Sequence, residues 1–149
     1  MQDECWINAP FRHNGSVGTE LSDVVHGQER PLVLIIDAEE SARDLYGHWF
    51  TALGFQVMCA VGLTGLGYAL RRERPQLIVT ELSARDLTLK ELFARLRSDQ
   101  TTRCIPVIVL TGCCDDSALQ QAKELGAVAI LPKLADFDVL LPWVNALCR

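Results

Sequence analysis

The chain is 149 residues long, with 49% hydrophobic and 22% charged residues and a formal net charge of −5. That length suits one ordinary domain with enough apolar residues to fill a core. The acidic balance argues against a nucleic-acid binder working through a broad basic surface and against a disordered acidic chain. No apolar run approaches bilayer-spanning length, and a start containing Asp3 and Glu4 has neither the basic region nor the apolar segment of a secretory signal, so a cytoplasmic globular protein is expected.

Residues 1–30 mix Asn, Gly, Ser, His and charges without helical or strand periodicity and are expected to form a flexible leader, with Trp6 unassigned. A domain is expected over 31–149, where apolar runs alternate with helical patterns. The β-branched run 32–36, closed by Asp37, predicts a strand buried on both faces. The spacing of Ala42, Leu45, Trp49 and Leu53 predicts a helix over 40–53 that packs this stripe inward and stops at Gly54. A weaker strand over 55–61 follows, then a glycine-weakened helix over 64–74 with Leu66, Ala69 and Leu70 inward.

The third strand is expected over 77–82, which puts Glu81 at its end, and the third helix over 88–97, with Leu89, Leu92, Phe93 and Leu96 on one side. Residues 106–111 suit a fourth strand. Asp115 or Asp116 can cap a helix with Leu119, Ala122 and Leu125 inward, ended by Gly126. After a fifth strand over 127–131, a last helix lies between 136 and 148, and Pro142 within it predicts a late start or a kink. Five strand–helix units in alternation predict an α/β fold, a doubly wound five-stranded parallel sheet with helices on both faces and with ligand chemistry at the strands' carboxyl ends. Asp37, Glu81, Thr111 and Lys133 all fall there.

Other patterns carry less chemistry. The cysteines at 5, 59, 104, 113, 114 and 148 have no CxxC spacing or clustered histidines, so zinc is not expected and reduced, mostly buried thiols are. Cys113 and Cys114 precede a helix, where a thiol can acidify, but adjacent cysteines pair poorly and nothing else points to redox work. His13, His26 and His48 have no second ligand at metal spacing. The glycines of GLTGLG match neither GxGxxG nor a P-loop.

The stretches LVLIIDAEES, PQLIVTELSARD, IPVIVLTG and GAVAILPKLAD, in this order over residues 31–149, resemble the receiver domain of two-component response regulators. The resemblance implies a flavodoxin-like sheet of order 2-1-3-4-5. It also implies a site in which an acidic pair after strand one and an acceptor aspartate on strand three bind Mg²⁺, while a hydroxyl residue and a lysine hold the phosphoryl group. Carried over by position, Asp37 is the first acid, Glu81 the acceptor position, Thr111 the hydroxyl and Lys133 the lysine.

Four residues depart from that pattern. Ala38 supplies no oxygen where a second acid is expected, which weakens Mg²⁺ unless Glu39 or Glu40 reaches in beside Asp37 and Glu81. Glu81 is longer than aspartate by a methylene, and a displacement of about 1 Å can cost about 100-fold in a positioned reaction. Leu134 replaces the usual proline after the lysine, and Ile130 replaces the aromatic switch residue.

The expectation is a pseudo-receiver with a permanent Glu81–Lys133 pair, not an enzyme. It would act through a histidine kinase, an output protein or a second copy in a homodimer, using the face of helix four, strand five and helix five. No DNA-binding segment is expected, so output is expected through such a partner. A working receiver that binds Mg²⁺ and takes phosphate is one alternative. A small flavodoxin-like enzyme or nucleotide binder is another, for which no nucleophile or cofactor motif is present.

Overall fold

Runs such as Leu32–Ile36 and Val107–Thr111 have no polar face, the pattern of strands that bury both sides under helices. A computed structural model describes residues 30–82, 87–112, 115–133 and 137–148. In chain order the elements are β1 (Leu32–Ile36), α1 (Glu40–Ala52), β2 (Gln56–Ala60), α2 (Gly62–Arg72), β3 (Leu77–Glu81), α3 (Leu89–Arg97), β4 (Val107–Thr111), α4 (Asp116–Leu125), β5 (Ala129–Pro132) and α5 (Phe137–Leu147). The five strands are parallel in the order β2-β1-β3-β4-β5, as expected. Residues 1–29, with the expected leader and Trp6, lie outside the described residues, as do Cys113, Cys114 and Leu134.

Alternation along the strands divides the interior into two cores, because successive side chains leave opposite faces. Leu34, Ile36, Ile78, Val107, Val109 and Ile130 pack under α2, α3 and α4. Val33, Ile35, Leu77, Val79, Ile108 and Leu110 pack under α1 and α5. Asp37, Glu81 and Lys133 thus emerge together at one end of a rigid layer.

Four details correct the sequence expectations. The buried stripe of α1 is Ala42, Tyr46 and Phe50, and Leu45 is exposed. The 3.6-residue period admits both stripes: Trp49 and Leu53 of the expected one pack partly buried against the same core, and Phe50 meets Phe55 and Phe137 edge-on within it. Helix α2 starts at Gly62, before its expected start, because burial of Leu66, Ala69 and Leu70 outweighs glycine's low propensity. It ends at Arg72, short of Pro75.

Helix α5 begins at Phe137 and runs through Pro142, so the late start is not observed. Burial of Leu140, Trp143 and Val144 compensates for the hydrogen bond the ring cannot donate. Finally, Cys59 and Cys104 are exposed free thiols and Cys148 is half-buried, contrary to the expected burial. Cys59 lies on β2, an edge strand whose pattern leaves every residue but Ala60 partly open. Gly54 and Gly126 do stop their helices, at φ +93° and +115°.

Candidate functional site

Strand β1 runs straight into Asp37, which is 3% exposed. Its Oδ1 accepts a hydrogen bond from the Glu39 amide at 2.9 Å, a local turn that stops the strand and swings the chain into α1. The Asp37 carbonyl accepts from Arg43 Nη1 at 2.8 Å, which ties the turn to the first turn of α1. Glu39 sits at the N-cap but makes no cap with its side chain.

Glu39 is turned instead toward Lys133. The Lys133 amide donates to the Thr111 carbonyl at 2.9 Å, one step beyond the Thr111–Pro132 register, so the β4–β5 ladder itself positions the lysine. Its Nζ lies 2.8 Å from Glu81 Oε2, 2.9 Å from Glu39 Oε1 and 3.1 Å from Asp37 Oδ2. The lysine side chain is only 7% exposed, against 4% for Asp37, 18% for Glu81 and 62% for Glu39. Burial by itself would discourage the ammonium. The hydrogen bonds to Glu81, Glu39 and Asp37 outweigh it and hold the Lys133 pKa above the ordinary lysine range.

Sequence reasoning foresaw the approach of Glu81 to Lys133, and the structure adds Asp37 and Glu39 to the same ammonium. Three carboxylates face one cation, a formal charge of −2. This arrangement tests the Mg²⁺ that the receiver resemblance implies. Asp37, Glu39 and Glu81 each offer a carboxylate oxygen, and these atoms lie within 4.8 Å of one another. Three converging hard oxygens fit such an ion. Glu39 thus offers a carboxylate oxygen beside Ala38, which has none, whereas Glu40 lies in the first turn of α1 and is not one of the three. Any bound cation shares its donors with Lys133.

Thr111 is buried at the end of β4, and Ile130 is sealed at 2% exposure in the core under α2, α3 and α4. Among the described residues no helix is long and apolar enough to cross a membrane. The role of Arg43 in fixing the Asp37 turn was not foreseen. Its only signal is the six-residue separation, which returns a long side chain of α1 to the start of the helix.

Comparison with known proteins identifies the family and the fold. The sequence profile of the response regulator receiver domain matches residues 33–145. The chain is 32% identical over 120 residues to the DNA-binding dual master transcriptional regulator RpaA of Synechocystis, covering 80% of this chain and 49% of that protein. It is 29% identical over 117 residues to the transcriptional regulatory protein GltR of Pseudomonas aeruginosa, covering 78% and 48%. Among solved structures, a receiver protein from Pseudomonas putida is 26% identical with a TM-score of 0.72, covering 80% of this chain and 98% of that one. The chemotaxis regulator CheY4 of Vibrio cholerae shares the fold at 21% identity and a TM-score of 0.72, covering 80% and 99%.

The chain belongs to the response-regulator receiver family and is a receiver module of two-component signalling. It spans about half the length of the first curated relatives it matches.

Proposed function

We propose that this receiver is held in one signalling state without phosphorylation, and that it signals by docking a protein partner. Glu81 stands at the acceptor position and is paired with Lys133 at 2.8 Å, the observation that carries the reading. The pair supplies, as a fixed contact, what a phosphoryl oxygen would supply reversibly. It does so with one negative charge, where a phosphoryl group brings nearly two. Ile130 offers no ring or hydroxyl to follow a change at Thr111. The face of α4, β5 and α5 is the docking surface, with a histidine kinase, an output protein or a second copy as the partner.

Acetyl phosphate with Mg²⁺ tests the proposal, read by intact mass and by the spectral response to a beryllofluoride phosphoryl analogue. The wild type should gain neither mass nor response, and the Ala38→Asp, Glu81→Asp double variant should gain both. Phosphoryl incorporation at Glu81 of the wild type would sink the proposal. One observation favours a second reading, a receiver that still binds Mg²⁺ and takes phosphate: Glu39 restores the carboxylate count around the site. The same mass measurement decides between them.

A further inference from the structure

Arg71 of α2 and Arg95 of α3 reach toward the same point. A Cβ at the buried Gly67 would lie 3.3 Å from Arg95 Nη2 and 3.6 Å from Arg71 Nη1, so two guanidiniums converge over a helix position that has no side chain. Beside them opens a cleft of about 280 Å³ lined by Leu70, Arg71, Arg74, Arg95, Asp99 and Thr102. Both arginines stand near the C-terminal ends of their helices. In strand–helix units of a parallel sheet that is the end opposite Lys133.

The neighbouring arginines are already engaged. Arg72 donates to the Tyr68 hydroxyl at 3.1 Å and lies over its ring. Arg74 donates to the Leu70 carbonyl, and Arg97 donates to the Leu125 carbonyl while lying over Phe93. Among the described residues, Arg71 and Arg95 have no carboxylate within 4.0 Å and donate no hydrogen bond. Asp99, the acid of the lining, accepts from the Thr101 amide and hydroxyl, both at 2.9 Å. Among the described residues, these two adjacent and exposed guanidiniums therefore stand without a carboxylate partner.

We propose that this α2–α3 cleft binds the phosphate or diphosphate group of a small molecule between Arg71 and Arg95, with Arg74 at its rim. The planar guanidinium fork matches phosphate oxygens two at a time. A multiply charged oxyanion between the two exposed guanidiniums would give both a partner at once. The cleft is smaller than most drug-sized pockets, which suits a compact anion. The competing role for both arginines is to complement the negative C-terminal ends of their helices. That role predicts an effect on stability and none on anion binding.

Isothermal titration of the full chain with pyrophosphate, and separately with ADP, in low salt with EDTA separates the two. Saturable one-to-one binding is expected, and Arg71→Ala with Arg95→Ala should weaken it by about tenfold or more, the worth of one charged hydrogen bond. Gly67→Ala places a methyl under the guanidiniums and should weaken binding while raising helix propensity, which separates loss of the site from loss of the fold. The charge-matched Lys90→Ala, Lys123→Ala variant should bind as the wild type does. Equal affinity for both probes means that phosphates alone are recognised, and tighter ADP means that a nucleoside carries them. Unsaturable binding, or equal loss in the lysine variant, overturns the proposal.

Discussion

Truncating Lys133 would leave three carboxylates around an empty centre, one of them on a side chain only 4% exposed. Removing one partner of a buried ionic cluster is more costly than replacing the whole cluster, because the remaining charges stay desolvated. Lys133→Met should therefore lower the unfolding free energy by about 3 kcal/mol, read by urea denaturation at neutral pH. The pH dependence adds a second readout. The folded-state pKa of Lys133 is raised, so its contribution is fully present below the ordinary lysine value of about 10.4 and is lost as pH rises through the folded value. The gap between wild type and variant should be flat from neutrality to about pH 10 and narrow above it. A gap that widens with alkali would contradict the pairing.

At this scale the sequence was informative for residues that end strands. Asp37, Glu81 and Lys133 each close an apolar run, so their place together at the carboxyl ends of parallel strands follows from the strand–helix alternation alone. Glu39 was legible only as a candidate, because the turn at Asp37 that aims it is made by its own backbone amide.

The elements show a different division. Helix α3 is bounded by a capping box: the Thr88 side chain accepts from the Glu91 amide at 3.1 Å, and the Glu91 carboxylate accepts from the Thr88 amide at 2.9 Å. Both groups are exposed, so the effect is local to the helix end. Thr88→Ala should cost about 1 kcal/mol and increase amide exchange in the first turn of α3. No change in exchange there would show that the box contributes nothing.

Element types and order were legible because short continuous apolar runs, the mark of strands buried on both faces, alternate along the chain with longer segments of 3.6-residue apolar period. Helix ends set by packing were not. The stripe of α1 and the starts of α2 and α5 depend on which side chains reach a core shared with distant strands, and no local window contains that information.

For the molecule as a whole, one sheet carries two cores that touch through the strands. Phe50 belongs to the core under α1 and α5, and Ile130 to the core under α2, α3 and α4. Phe50→Ala should cost about 3–5 kcal/mol and Ile130→Val about 1 kcal/mol. Because the two lie in different clusters, their effects should add to within about 0.5 kcal/mol in the double variant. Cooperativity is a separate question, and Trp49 and Trp143 answer it because both pack on the α1–α5 side. With Trp6→Phe as background, tryptophan fluorescence reports that core, while far-ultraviolet circular dichroism reports the whole sheet. Every strand feeds both cores, so neither can unpack without disordering the layer they share, and the two probes should give one midpoint. Separate midpoints, or a coupling above about 1 kcal/mol, would mean that the sheet does not hold the two faces as one unit.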